Sequence, residues 1–134
     1  MERDALVRKV EDHYYSFWKG DVDDFDRQLS PEFVDEEAPP GSPVGPETVK
    51  FFATMARTAF DVDVIVEDAV VEGNMVAVRA RWHGTHIGDY MGRPATGNTV
   101  DVPGMVFWHF DDQGRIDRRW ASVDMGAFAR ATET

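Results

Sequence analysis

The chain has 134 residues, 43% of them apolar and 12% aromatic, with a formal net charge of −11 and no cysteine. A domain of this length buries roughly two-thirds of its unfolded surface, enough for a real core. Disulfides and thiolate metal sites are excluded, and the acidic surplus argues against a nucleic-acid backbone as partner, since that requires a basic footprint.

Residues 3–19 read as a helix, because Leu6, Val7, Val10, Tyr14, Phe17 and Trp18 recur at helical spacing and form one broad apolar face. The opening residues are charged and amphipathic, which fits neither a signal peptide nor a membrane span, so a cytoplasmic location is expected. Gly20 ends this helix, and residues 21–29 suggest a short second one running up to Pro31. Phe33 to Glu37 is a candidate short strand, and residues 38–43 are a loop by composition. Gly45-Pro46 opens a third helix with proline at its first position, and Val49, Phe52, Met55, Ala56, Ala59 and Phe60 make its expected buried side.

From Asp61 the period becomes alternating. Val62, Val64 and Val66 share a face, and Gly73-Asn74 is a two-residue hairpin turn. The next strand, Met75 to His86, sets Val76, Val78, Ala80 and Trp82 against Arg79, Arg81 and His83. Residues 87–98, with Gly88, Gly92, Pro94 and Gly97, form a long loop. A last hairpin, Val100 to Asp124, folds about Asp111-Asp112-Gln113-Gly114. By parity one of its faces carries Val106, Trp108, Phe110, Arg119, Ala121 and Val123. The other carries Met105, Phe107, His109, Ile116, Arg118, Trp120, Ser122 and Asp124. Both faces are apolar, so both need a cover: the chain's own helices on one side and a second subunit on the other. The pattern is a single α+β domain over residues 1–134, with helices against one face of an antiparallel meander.

Several stretches resemble the SnoaL-like polyketide cyclases. Gly84-Thr85-His86-Ile87-Gly88, followed by Gly92-Arg93-Pro94-Ala95-Thr96-Gly97, is similar to that family's GTHxG…GxPxTG signature. Trp18-Lys19-Gly20-Asp21 after Tyr14, Pro31-Glu32-Phe33-Val34-Asp35, Gly45-Pro46-Glu47, and Gly114-Arg115-Ile116 with Trp120 and Asp124 follow in the family's order. The resemblance implies an NTF2-like cone, in which three N-terminal helices and a strongly curved antiparallel or mixed sheet enclose an apolar pocket. It also implies a homodimer joined through the outer sheet face. The resemblance breaks at the family's acid/base pair. The acidic position after Trp120 is Ala121, and its histidine partner's position on the preceding strand is Val106; neither side chain can move a proton. An alignment shifted by three residues offers Asp124 as the acid instead.

Other groups remain as candidates. Asp35 and Glu37, two apart on the expected strand, would share a face, and the resemblance implies that the position of Glu37 is close to where ketosteroid isomerase, on the same fold, keeps its base. A carboxylate in an apolar pocket is pushed toward a useful pKa, and the alternative is a solvated acidic rim. Tyr14, with His13 beside it, could hold a substrate carbonyl. His86 could serve as a hydrogen-bond donor at the pocket or simply fix the 87–98 loop. Arg119 on an apolar face needs a carboxylate partner such as Asp35 or Glu37, an anionic ligand, or access to water. Trp18, Phe33, Phe52, Met55, Trp82, Trp108 and Phe110 would shape the pocket, with Val106 and Ala121 in its wall. The histidines lack metal-ligand spacing, so no metal and no cofactor is expected. The expected ligand is a hydrophobic small molecule, with neither nucleic acid nor membrane as partner. The resulting expectation is cofactor-free acid/base chemistry on a polyketide-like or other carbonyl substrate: cyclisation, isomerisation or dehydration. A non-catalytic hydrophobic-ligand binder and an epoxide hydrolase of the same fold are the alternatives. The Arg-x-Asp pairing of limonene epoxide hydrolase-type sites is not found on one strand.

Overall fold

The computed structural model describes residues 2–134. Helix α1 (Arg3–Trp18) is capped at its start by the Glu2 side chain, which accepts the Asp4 N–H, and closed at its end by the Lys19 N–H on the Tyr15 carbonyl. A 3₁₀ turn (Val22–Asp24) and the short helix α2 (Phe25–Gln28) occupy the second helical stretch. Strand β1 (Leu29–Asp35) follows, then α3 (Pro46–Ala59), β2 (Phe60–Glu72), β3 (Met75–His86), β4 (Thr99–Phe110), β5 (Ile116–Val123) and a closing helix α4 (Met125–Ala131). The strands form one mixed, open sheet in the order β1-β5-β4-β3-β2, with β1 parallel to β5 and the other pairs antiparallel. Chain reversal between β4 and β5 falls at the expected turn: Gly114 takes φ 78°, and the Asp111 carboxylate accepts the N–H of Gln113 and of Arg115.

The sheet's inner face is the core. Leu6, Val10 and Tyr14 of α1 share one buried cluster with Val62 of β2, Val76, Val78 and Trp82 of β3, and Val102, Val106 and Trp108 of β4. Alternation along β4 is complete: Val100, Val102, Gly104, Val106, Trp108 and Phe110 are buried, while the intervening residues are exposed or half-buried. Gly104 is needed there, because a Cβ on it would stand 2.8 Å from the Trp82 ring and 2.8 Å from Val123 Cγ2. The glycine lets an indole lie across its neighbouring strand.

Four details depart from the sequence-based expectation. Strand β1 begins at Leu29 and passes through Pro31, ending at Asp35 rather than Glu37. An edge strand tolerates the missing N–H of proline. Glu37 consequently sits in the following turn, exposed, and does not share a strand face with Asp35. On α3, Phe52 and Met55 are 42% and 55% exposed rather than buried; Ala53, outside the expected stripe, is buried together with the expected Ala59. The cause is Arg57, whose guanidinium donates to the carbonyls of Ser16, Phe17 and Gly20 at the end of α1. Those carbonyls have no helical donor, and satisfying them turns the Ala53–Arg57 side of α3 inward. Ile116, expected on the outer face, is buried at 1% exposure. A bulge puts Phe110 opposite Ile116 but His109 opposite Arg118, so the extra residue Asp117 flips Ile116 to the inside. Finally, α4 was not foreseen; its Phe128 stacks on Trp18 (6.4 Å) and packs against Phe60 (5.3 Å).

Candidate functional site

Register brings together the two positions that the resemblance assigns to an acid/base pair. Val106 pairs with Ala121 across β4 and β5, both on the inner side. Asp124, the alternative acid, is engaged at the start of α4. It caps α4, accepting the Ala127 N–H (3.2 Å) and pairing with Arg130 (3.0 Å). Around the Val106–Ala121 pair lie the polar groups that the core does hold.

The nearest neighbours on this face are Trp108 and Arg119, one register step away and paired with each other. The Arg119 guanidinium lies over the Trp108 ring, 5.6 Å from its centroid, in cation–π contact. On its far side β1 pairs Asp35 with Arg119, and Nη1 donates to both carboxylate oxygens at 3.1 and 2.9 Å. The Glu37 N–H also donates to Asp35 Oδ1 (2.9 Å), so the carboxylate is fixed from two directions. This is the Arg–carboxylate pair the sequence suggested, and its side chains remain 22% and 28% exposed. It is half-buried, not sealed.

Tyr14 comes from α1. Trp108 Nε1–H donates to its hydroxyl oxygen at 3.3 Å, with the rings edge to face at 5.5 Å and Trp82 against the other side at 5.8 Å. Burial pushes the phenol up to about 12, opposed by the Arg119 charge, so the hydroxyl stays a neutral donor. Its oxygen already accepts from Trp108, and no described residue takes its proton. His13, one residue earlier, is buried between Phe25 (4.9 Å) and Trp108 (5.3 Å). Its Nδ1 lies 3.2 Å from Gln28 Oε1, and the Gln28 amide donates to Ser16 Oγ at 3.0 Å. An amide oxygen only accepts, so Nδ1 carries the proton. Burial lowers this histidine to about 4, against the Gln28 hydrogen bond and with the help of Arg119, and the ring is neutral. Gln28 carries no signal in the sequence that would have found this role.

His86 stands apart, at the other end of β3. It is fully buried; Nδ1 accepts the Thr96 N–H (3.2 Å) and lies 2.9 Å from Thr96 Oγ1. Nε2 therefore bears the hydrogen, and it is a buried donor without a partner. Thr96 also donates to the Ala131 carbonyl, as does Asn98, which ties the 87–98 loop to α4. Its loop-fixing role is visible in these bonds.

The remaining candidates divide by burial. Phe33, Trp82, Trp108 and Phe110 are core residues, Trp18 is half-buried against Phe128, and Phe52 and Met55 are exposed. Aromatic rings thus occupy much of the interior, and the inner face keeps accessible surface at Arg119, Ala121 and Val123, which are only half-buried. Two open depressions of about 440 Å³ and 370 Å³ lie elsewhere, around the β4–β5 turn. One is lined by Ser30, Glu32 and Asp111, the other by Lys9, Asp12 and Gln28. Among the described residues no group of three or more His, Asp or Glu side chains converges as metal ligands would. No helix among them is long and apolar enough to cross a membrane.

An open five-stranded mixed sheet with its helices is the architecture of the NTF2-like cone. The chain belongs to the SnoaL-like polyketide cyclase family, whose model matches residues 8–132. Solved structures agree. TsrD from Streptomyces laurentii superposes with a TM-score of 0.82 at 24% identity, over 98% of this chain and 97% of that one. A candidate SnoaL-like polyketide cyclase from Jannaschia sp. CCS1 gives 0.80 at 25% identity, covering 98% and 96%. IdmH of Streptomyces antibioticus, a candidate polyketide cyclase, gives 0.79 at 26%, covering 94% and 96%. No curated protein matches the chain. Family and neighbours together support an enzyme of cyclase or isomerase type.

Proposed function

We propose that the protein moves protons, without a cofactor, on a hydrophobic small molecule bearing a carbonyl group, in a cyclisation, isomerisation or dehydration. The observation that carries this reading is the unclaimed Tyr14 proton on the inner face, close enough to Arg119 to feel its charge. A neutral phenol in a buried, aromatic setting stabilises the oxyanion that forms when a proton leaves the carbon beside a carbonyl. Asp35 is the carboxylate available as proton acceptor, held by Arg119 and by the Glu37 N–H. It takes the part for which Ala121 and Val106 have no chemistry. Glu37 is exposed and His86 lies away from this group, so they are weaker candidates.

A panel of aryl β-ketoesters and enones tests this by product formation. Tyr14→Phe is expected to lower kcat by about a hundredfold, the size of losing one oxyanion donor. Asp35→Asn should abolish turnover while leaving ligand binding intact. Full activity in Asp35→Asn would overturn the assignment. The facing Val106 and Ala121 favour one second reading, a pocket that retains its ligand without converting it. That reading predicts tight binding and no product across the whole panel.

The second subunit expected on the outer face is part of the proposal. Val70, Ala77, Phe107 and Trp120 are paired in register across β2, β3, β4 and β5, forming one apolar row over that face. Phe107 is 50% and Val70 68% exposed. A second copy related by a two-fold axis presents the same row, which suits a self-complementary contact.

A further inference from the structure

Arg119 uses only Nη1 on Asp35. Among the described residues neither Nε nor Nη2 meets an acceptor. These nitrogens are not sealed in the core either, since His86 Nε2 is the sole buried side-chain nitrogen or oxygen left without a partner among them. Both nitrogens therefore keep some accessible surface, on a side chain 22% exposed whose guanidinium lies over the Trp108 ring. That edge carries parallel N–H groups, the fork that fits a planar pair of anionic oxygens.

We infer that Arg119 is the recognition group for a planar two-oxygen anion, a carboxylate or the enolate of a 1,3-dicarbonyl, carried by a hydrophobic aromatic ligand lying along Ala121 and Val123. The ordinary alternative is an arginine whose whole task is to neutralise Asp35. In that role the free edge would be left to water, although a guanidinium kept for one carboxylate does best side-on, with two nitrogens on two oxygens. Here one nitrogen serves both oxygens and the fork is left open. Its field also reaches His13 and Tyr14, so charge at this position is felt across the aromatic group. The apolar body is supplied with a wall, because Trp108 lies under the guanidinium and Ala121 and Val123 follow Arg119 at alternate positions along the same face of β5.

The inference rests on the proposed placement of the ligand on the inner face, and its test reads binding, not turnover. Tryptophan fluorescence and calorimetry would compare 2-naphthoate, a naphthyl 1,3-diketone and neutral 2-acetylnaphthalene, with the diketone followed across its own ionisation. Naphthoate should bind about tenfold more tightly than the ketone, the size of a charge-assisted hydrogen bond. Arg119→Met should erase that preference while keeping ketone affinity, and Arg119→Lys should retain only part of it. Asp35→Asn removes the competing carboxylate and should tighten naphthoate binding several-fold. It also keeps the inference falsifiable if Arg119→Met fails to fold. Tighter diketone binding above its pKa with no naphthoate preference would identify the enolate as the source. Equal affinities for all ligands, or no gain in Asp35→Asn, overturn the inference and leave the carbonyl reading standing. If none of the ligands binds, both fall.

Discussion

His13 is a charge the folded chain declines to carry. Its pKa falls from 6.5 to about 4 on folding, through burial first and Arg119 in addition, so between those values the unfolded chain binds the extra proton. Stability from this residue is complete above pH 6.5 and is lost as pH falls toward 4, on the order of 3 kcal/mol in all. In His13→Gln the titration is gone. Urea unfolding should show wild type losing ground on the variant between about pH 7 and pH 4.5; parallel curves would show that the ring is not held neutral. At the same scale, the placing of Val106 and Ala121 together on the inner face was legible from the chain alone, because strand parity puts both there. The Arg119–Asp35 pair was legible only as one of several options, since nothing local sets the parallel pairing of β1 with β5. The Gln28 bond to His13 was invisible, because it depends on where α2 docks.

Among the elements, the amphipathic α1 and the two hairpins were readable because their patterns are local: a helical apolar stripe, alternation, and turns at Gly73 and Gly114. The inward face of α3 was not. Its apolar stripe pointed to Phe52 and Met55, and a long-range bond from Arg57 to the end of α1 outweighed it. Nor was the bulge at Asp117 readable, since alternation assumes one residue per rung. The 87–98 loop shows the opposite case, a motif whose physical content the structure supplies. His86, Thr96 and Asn98 join it to α4 through the Ala131 carbonyl. Thr96→Val keeps the shape and deletes the hydroxyl, which should cost about 1–3 kcal/mol for stranded buried partners. Hydrogen exchange should then rise in residues 87–98 and in α4 while α1 and β4 stay protected. Uniform exchange, or none gained, would show the loop to be held by something other than this hydroxyl.

At the scale of the molecule, both faces of the sheet matter, and the acidic surface adds a constraint. A net charge of −11 repels a second copy at long range, so association has to come from contact. The apolar row from Val70 to Trp120 offers that contact, and the ion pairs of Arg79 with Glu67 and of Arg81 with Asp101 (3.1 and 2.7 Å) neutralise charge beside it. A stable dimer buries about 800 Å² per partner, which requires Met105 and Ile65, exposed on the same strands, to join the row. Sedimentation should therefore find twice the chain mass, with the dimer strengthened by salt as the long-range repulsion is screened. Phe107→Asp sets a charge at the centre of the row and should yield monomers with unchanged circular dichroism. Met91→Asp, at a loop residue 87% exposed and away from the row, should leave the dimer intact. A monomeric wild type at tens of micromolar, or a dimer that survives Phe107→Asp, would remove the outer face from the assembly; the inner-face chemistry would stand, because the ion pair, Tyr14 and Trp108 all come from one chain.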